Sequence, residues 1–561
     1  MVIVGAPSIH NPAWTVVSDG RPTANIEEDR LHRVKNRFGL IGRDGDVNVL
    51  AGWDYVLDAA GISQRDVDAV AFGFNPSAIY QDGAFDVRHE QHHQERVFVQ
   101  QALLLHALRR RGWRGKTYYV RHHLAHAASV YLCSPYEAAA IITVDGWGES
   151  ETISVCRGSG NQIRTIAAVP LPNSIGEIYT RLTTKLGWGM DDAGKTMALA
   201  AYGTRPANSP RLVVSSMTDD LHIDSSRALE FVESLPIRTA AEPLGKIHID
   251  AAAYIQNELE TVMLSLAEWA YRKTGCADLC LSGGVALNCV ANGRLQKESK
   301  FRSVFAQPAC GDSGIPMGAA LTIHYHLNPT APRYVLREPY LGKPYSREDY
   351  ACALSGHTSR EYSDSHSLNA VVANLLAAGK VVARFSDKSE LGPRALGNRS
   401  ILADPRRKEM RDRLNLVVKR RESFRPFAPS VLAEYATKYF DIEGASPFML
   451  MASRIRADRY DAIPAVAHVD GTARIQTVAR ENNASFYDLI DEFRLATGVP
   501  LLINTSFNVA GEPMVESPDQ AVQCFDAADL DALALGLFLV ERRDARRRDS
   551  ARGISGPYNG R

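Results

Sequence analysis

Apolar positions along the chain fall into two kinds of run: short blocks that stop at small or acidic residues, and longer stretches with helical spacing. Val2-Ile-Val-Gly5 and Ala13 to Val17 read as two strands of a hairpin, with a polar tip at Ser8-Ile-His10-Asn11-Pro12 and a turn at Asp19-Gly20. Ile26 to Lys35 places several charges before an amphipathic helix at Leu50 to Ala60 and reads as a solvated face. Residues 75–118 are irregular at first, include the His89-Glu-Gln-His-His93 cluster on a polar face, and become helical from Val97 to Arg110. An Ala-rich helix around His122 to Ser129 precedes a buried strand, Ala138 to Val144, which delivers Asp145 at its carboxyl end. Strand-like runs follow at Thr152 to Cys156 and Ile163 to Val169, then a helix opened by Ser174.

Residues 205–250 keep no period, and a long helix spans Ile255 to Lys273. Leu279-Cys-Leu281 is a strand ending in Ser282-Gly283-Gly284 with a helix behind it, and Gly318 to Ile323 is a small-residue helix. Proline and turn residues from Asn328 to Ser346 read as a connection between domains spanning 1–335 and 346–561. Beyond it come a helix at Leu368 to Ala378 and a strand at Val381 to Phe385, while Glu541 to Arg561 is charged and Gly-rich, as frayed ends are. The sequence shows no internal repeat.

At 561 residues the chain exceeds what one core serves, in line with two domains. Lys+Arg and Asp+Glu each total 64, and no basic stripe appears, which argues against nucleic-acid and anionic-membrane partners. Small molecules are the expected ligands, and an oligomer is compatible with the sequence. The N-terminus lacks a signal-peptide pattern and Ala532 to Val540 is too short to span a bilayer, so a cytoplasmic location is expected. Eight scattered cysteines, including the Cys276/Cys280 pair, read as reduced core thiols.

His122 and His126 are one helical turn apart, and with Asp145 they suit a borderline transition ion, although a packed pair has the same spacing. Asp312, in Cys310-Gly311-Asp312-Ser313-Gly314, either completes that set or caps a helix. Gly283 and Gly284 either cradle a phosphate or form a tight packing turn. Gly194-Lys195 lacks the spacing of a P-loop. Arg394 and Arg399 among glycines offer planar forks for phosphate, and Lys419, Arg421 and Arg425 repeat the cationic pattern among aromatics; Arg474, Asn504 and Ser506 add polar groups at strand ends.

Taken in order, His122-His-Leu-Ala-His126, Val144-Asp-Gly146, Gly194-Lys-Thr-Met197, Ser282-Gly-Gly-Val-Ala-Leu-Asn-Cys-Val-Ala-Asn292, Gly392-Pro-Arg-Ala-Leu-Gly-Asn-Arg-Ser400, Phe424-Arg-Pro-Phe-Ala-Pro429, Asp470-Gly-Thr-Ala-Arg474 and Asn504-Thr-Ser-Phe-Asn508 resemble the O-carbamoyltransferase family of antibiotic and nodulation-factor biosynthesis, from Val2 to Val540. The resemblance implies an α/β protein whose N-terminal domain has the actin/hexokinase-like (ASKHA) ATPase fold and is TsaD-like, with a C-terminal YrdC-like α/β domain. It implies ATP and carbamoyl phosphate as co-substrates, Mg2+ with the ATP, and a carbamoyl-adenylate made in the second domain. The first domain then passes the carbamoyl group to a small-molecule hydroxyl of a secondary metabolite.

By the same resemblance His122, His126, Asp145 and Asp312 hold Fe2+ or another divalent transition ion, and Gly283, Gly284 and Asn288 hold the nucleotide. Arg394, Lys419, Arg421, Arg425, Arg474, Asn504 and Ser506 bind carbamoyl phosphate and ATP. His10 is the general base and Lys35 contacts the activated carbamoyl group. The family's histidine is commonly followed by Asp, where this chain has Asn11, so the acid that would orient His10 is missing from its usual place. His123, on another helix face, is expected to be structural, and residues 75–118 and 205–250 to shape the acceptor pocket. A tRNA threonylcarbamoyladenosine-type fusion enzyme is the alternative, disfavoured by the charge balance. A non-catalytic ATP-binding module is disfavoured because an idle cationic cluster costs stability.

Overall fold

A computed structural model describes residues 1–8, 10–35, 50–77, 88–215 and 221–542. The side chains of the His89 to His93 cluster and the tail from 543 to 561 lie outside the described residues, as do parts of the two proposed acceptor-pocket segments.

Among the described residues, the first 327 build two five-stranded sheets and a small two-stranded hairpin. In one, β1 (Val2–Ala6), β2 (Ala13–Ser18), β3 (Arg21–Glu27), β4 (Ala69–Phe72) and β5 (Lys116–Tyr119) lie in the order β3-β2-β1-β4-β5. The first three strands are antiparallel, and β4 and β5 join parallel to β1. The other contains β6 (Ala138–Val144), β7 (Glu151–Ser159) and β8 (Gln162–Pro170). A small hairpin of β9 (Val213–Ser215) and β10 (His222–Asp224) precedes its last strands, β11 (Asp278–Ser282) and β12 (Ser303–Phe305).

Its order, β12-β11-β6-β7-β8, and its strand senses reproduce the first sheet. The layout is therefore duplicated although no repeat is visible in the sequence, because topology requires only matched apolar runs and turns, not matched residues. Paired sheets of this mixed order, with helices between and outside them, are what the actin/hexokinase-like expectation requires. The helices His122–Tyr131 and Ile315–Leu327 share a core of small residues, including Ala125, Ala128, Ala319 and Ala320, between the sheets.

Residues 359–541 form a nine-stranded mixed sheet. Its strands are β13 (Ser359–Glu361), β14 (Val382–Phe385), β15 (Arg399–Ala403), β16 (Ala428–Leu432), β17 (Met451–Arg454), β18 (Thr472–Val478), β19 (Leu501–Ser506), β20 (Ala532–Leu535) and β21 (Phe538–Glu541). They lie in the order β13-β21-β20-β14-β15-β19-β16-β18-β17, with β14/β20 and β16/β18 the parallel pairs. The helices Ser365–Ala377 and Ala484–Thr497 pack together against this sheet.

The two halves meet closely. The helix Cys289–Glu298 lies on β17, where Asn292 Nδ2 donates to the Leu450 carbonyl at 2.9 Å. A Cβ on Gly293 would fall 2.0 Å from the Ala452 carbonyl oxygen, so only glycine permits this approach.

The reading of Ile26 to Lys35 as a solvated face is overturned. Glu28 is fully buried and accepts from Trp14 Nε1 at 2.8 Å. Arg30, also buried, donates to the carbonyls of Glu390 (2.8 Å) and Gly392 (2.6 Å) in the other half and to Glu27. Glu28 and Arg30 are buried because each has a partner, which a periodicity argument cannot see. The cysteines are free and mostly buried, as expected: seven of the eight are, and Cys352 is exposed on the outer face of the short helix Arg347–Ala353. Among the described residues no helix is long and apolar enough to cross a membrane.

Candidate active site

Four predicted ligands converge at the carboxyl end of β6. The donor atoms of His122, His126, Asp145 and Asp312 lie within 4.8 Å of one another. His126 Nε2 is 2.8 Å from Asp145 Oδ2, 3.4 Å from Asp312 Oδ1 and 3.1 Å from His122 Nε2. Two imidazole nitrogens pointed at each other between two carboxylates make a poor hydrogen-bond network and a good cation cage, so the donor set fits a divalent transition ion.

The surroundings hold this geometry. The backbone N–H of His122, at the start of its helix, donates to both oxygens of the buried Glu149, at 3.0 and 3.1 Å, and Asn75 N donates to the same carboxylate. The Ser282 hydroxyl stands 3.4 Å from His126 Nδ1 and donates to the Cys310 carbonyl. Burial works against charge on His126, but its hydrogen bonds to Asp145 and Asp312 prevail and push it up to about 9; hydrogen bonds from His122 and His126 hold Asp145 well below the usual carboxylate range despite its burial. His123 faces away, bonded to Thr143 Oγ1 at 2.7 Å and the Glu151 carbonyl at 3.1 Å, and burial with the neighbouring imidazoles pushes it down to about 3. It is structural, as expected.

Gly284 N donates to Asp145 Oδ2 at 3.0 Å, so the Ser282-Gly-Gly turn is part of the cage. Gly283 has φ +91°, and a Cβ there would meet the Val144 carbonyl at 2.2 Å. Asn288 lies close behind, but its amide is engaged within the protein: Oδ1 caps the helix Cys289–Glu298 at Ala291 N, and Nδ2 donates to Gln256 Oε1 at 2.8 Å. It positions that helix behind the Ser282-Gly-Gly turn.

His10 Nδ1 lies 3.8 Å from Asp191 Oδ1. The carboxylate absent at Asn11 thus comes from a residue 181 positions later in the chain, at the N-terminal edge of the helix Ala193–Ala200. Burial raises the Asp191 pKa, His10 lowers it, and the Asp312 and Asp192 charges raise it. The sequence reading passed over Asp191; its signal was an acid pair before a Gly-Lys that is not a P-loop. Lys35 stands nearby, its ammonium lowered by desolvation and by Arg425, with Asp192 opposing.

The cationic residues also come together, at the junction of the halves. Lys419 is buried and donates from Nζ to the carbonyls of Ser506 (2.8 Å) and Asn508 (2.9 Å) and to Asn508 Oδ1 (2.6 Å). Arg421 stacks over Phe427 at 4.5 Å and bonds Asn415 Oδ1. Burial first, and then one another's charge, lower Lys419, Arg421, Arg394 and Arg474, the last to about 9. Arg394 and Arg474 both feel Cys289 of the first half, and the Nε of each is buried without a hydrogen-bond partner. Arg425 is 3.7 Å from Glu422, which also pairs with Lys195 at 3.2 Å. Asn504 is almost wholly buried and donates to Ser430 Oγ (3.0 Å) and Gln476 Oε1 (3.2 Å), so it acts from behind the cluster. The Ser506 hydroxyl donates to Asn508 Oδ1 at 2.6 Å. A desolvated, mutually repelling set of this kind is relieved by a polyanion.

Comparison with known proteins decides the family. Residues 2–321 match the family model of the carbamoyltransferase N-terminus and residues 373–542 that of the carbamoyltransferase C-terminus. The chain belongs to the carbamoyltransferase family. Among its relatives, nodulation protein NolNO of Sinorhizobium fredii is 36% identical over 97% of this chain and 81% of its own length. Nodulation protein NolO of Bradyrhizobium diazoefficiens is 39% identical over 77% of this chain and 80% of its own. A full-length HypF structure in its phosphate- and nucleotide-bound form overlaps 59% of this chain and 47% of its own at 14% identity, with a TM-score of 0.37. The carbamoyltransferase is an enzyme of mixed α/β architecture. Its predicted residues fall into two clusters, the imidazole–carboxylate cage and the cationic nest, bridged by Asp191, Asp192, Lys35 and Lys195.

Proposed function

We propose that this carbamoyltransferase uses ATP and carbamoyl phosphate to make a carbamoyl-adenylate in a YrdC-like C-terminal half, 346–561, and passes the carbamoyl group to an alcohol in the TsaD-like half, 1–335. The observation that carries this reading is the separation of the two clusters at the junction of the halves. One is built for polyanions, while the other holds a base next to a cation cage. The acceptor is a hydroxyl of a secondary metabolite, and the site of action is the cytoplasm.

In the first half-reaction, Lys419, Arg421, Arg425 and Arg474 neutralise the phosphates of ATP and carbamoyl phosphate and hold them in line; Mg2+ accompanies the ATP. Lys419 also fixes the Ser506-Phe-Asn508 turn, so Ser506 is oriented toward the carbamoyl oxygens. Water cleaves carbamoyl phosphate to carbamate and inorganic phosphate, the carbamate oxygen then attacks the α-phosphorus of ATP with pyrophosphate leaving, and the adenylate carries the activated carbamoyl group.

In the second, a divalent transition ion held by His122, His126, Asp145 and Asp312, with iron the choice the resemblance favours, would supply Lewis acidity beside the adenylate phosphate. Asp191 faces Nδ1 of His10 and orients the ring, so Nε2 takes the proton as the acceptor oxygen attacks the carbamoyl carbon and AMP departs. Lys35 steadies the carbamoyl oxygen. Burial of the cage by the helices His122–Tyr131 and Ile315–Leu327 excludes water that would otherwise hydrolyse the adenylate.

The test is pyrophosphate release from ATP and carbamoyl phosphate. Arg425→Ala is expected to abolish it, while His10→Asn retains it and loses carbamoylation of an accepted alcohol, read as a mass gain of one carbamoyl group. Normal transfer by His10→Asn would overturn the base assignment. Wild-type protein that releases no pyrophosphate with metal supplied would overturn the reading as a whole.

A further inference from the structure

Ser282 ends β11, which runs parallel to β6, and it is 1% exposed. A hydroxyl at the end of a buried strand costs free energy unless it is bonded, so its partners say what it does. It faces the Cys310 carbonyl at 3.0 Å and Nδ1 of His126 at 3.4 Å. The carbonyl does not depend on it, because Gly283 N already donates there at 2.7 Å. Nδ1 does. His126 is fully buried with Nε2 turned into the cage, and among the described residues Ser282 is the hydrogen-bond partner of its other ring nitrogen.

The direction of these bonds follows from the hydrogens available. A serine hydroxyl has one hydrogen and accepts through its lone pairs, whereas a carbonyl only accepts. The Ser282 hydrogen goes to the Cys310 carbonyl, which leaves lone pairs facing Nδ1. Ser129, whose Oγ lies 3.4 Å from that of Ser282, gives its own hydrogen to the His126 carbonyl at 2.8 Å and supplies none to the ring. Nδ1 therefore carries a hydrogen and donates it. A neutral imidazole has one N–H, so this arrangement leaves the Nε2 lone pair free on the side that faces Asp145 and Asp312. The other tautomer would set lone pair against lone pair at Nδ1 and aim an N–H into the cage.

The same turn steadies two further ligands. Gly284 N holds Asp145 Oδ2 at 3.0 Å, and the Cys310 carbonyl that receives Gly283 N and Ser282 Oγ belongs to the loop that carries Asp312. Three consecutive residues thus brace an imidazole, a carboxylate and the loop of a second carboxylate.

We propose that Ser282 is a positioning residue of the cage: its hydroxyl oxygen accepts from His126 Nδ1, fixes that tautomer and presents the Nε2 lone pair to a divalent cation. The inference rests on the cage proposed above. Ser282 acts through His126 and needs no contact of its own with ion or substrate.

Co2+ is the probe, because its visible absorption bands report ligands and geometry without turnover. The full chain is stripped with a chelator and titrated with Co2+, and the metal-free chains are melted in parallel. Ser282→Ala is expected to raise the Kd for Co2+ about 10- to 100-fold, the usual loss when the partner behind a ligating imidazole is removed, and to shift the bands. Ser282→Thr keeps the oxygen and Ser129→Ala removes a hydroxyl bonded only to the His126 backbone, so both are expected to stay within about threefold of the wild type, short of that loss. Wild-type affinity in Ser282→Ala, or an equal loss in Ser129→Ala, overturns the assignment. So do unshifted bands at saturating Co2+, even where metal-free Ser282→Ala melts lower. An equal loss in Ser282→Thr with unchanged melting also overturns it. Wild-type protein that takes up no Co2+ overturns the cage itself instead.

Discussion

At the scale of single residues, the pair His10 and Asp191 shows how a site can keep its chemistry while a neighbour changes. Asn11 stands where an acid was expected, with φ +43°, a backbone state that Asn tolerates, and the carboxylate arrives instead from the edge of another helix. Asp191→Asn is expected to lower carbamoyl transfer about 10- to 100-fold while leaving pyrophosphate release intact, a range at or below the usual contribution of a general base. Asp29 gives a prediction of a different kind. Burial and the Glu27 charge push its carboxyl up to about 7, against Arg30 and Lys35, and Oδ1 is buried without a hydrogen-bond partner. Its folded value exceeds the unfolded one, so its contribution to stability is complete below pH 3.8 and is lost as the pH rises through 7. Asp29→Asn should therefore stabilise the fold at pH 8 by about 1–2 kcal/mol and change little at pH 4, as followed by thermal melting.

At the scale of elements, much was legible in the sequence. β6 runs from Ala138 to Val144 as the apolar run predicted, Ser174 caps the helix that it opens, and His122 and His126 share a helix face. These depend on local period and capping, which neighbours in sequence determine. What escaped was non-local: the contacts that bury Glu28 and Arg30 come from Trp14 on β2 and from the Glu390 and Gly392 carbonyls in the other half. The long helix starts at Lys246, earlier than its apolar period, because its first turns carry polar residues on an exposed face. Gly293 marks the same limit, since nothing around it in the sequence announces the Ala452 carbonyl 2.0 Å from its missing Cβ. Gly293→Ala should wedge the helix Cys289–Glu298 off β17 and cost about 1–3 kcal/mol. Gly194→Ala, in a helix with nothing within 4 Å of a new Cβ, should melt at or above the wild type.

At the scale of the whole molecule, the two halves are joined by more than the connection Asn328 to Ser346. Arg30 spans to Glu390 and Gly392, Arg33 pairs with Glu512 at 2.9 Å, Tyr55 donates to Glu516, and Asn292 reaches Leu450. These contacts fall on the segment leading to Lys35, on the loop leading to Arg394, and on the helix behind the Gly283-Gly284 turn. The groups of both proposed half-reactions are thereby fixed in one frame. Covalent continuity is then dispensable. A chain nicked within residues 328–333 should elute as a single particle of unchanged size, and its two fragments should separate only in denaturant. For such a protein the peptide link between the halves serves mainly to raise the concentration at which they find each other during synthesis.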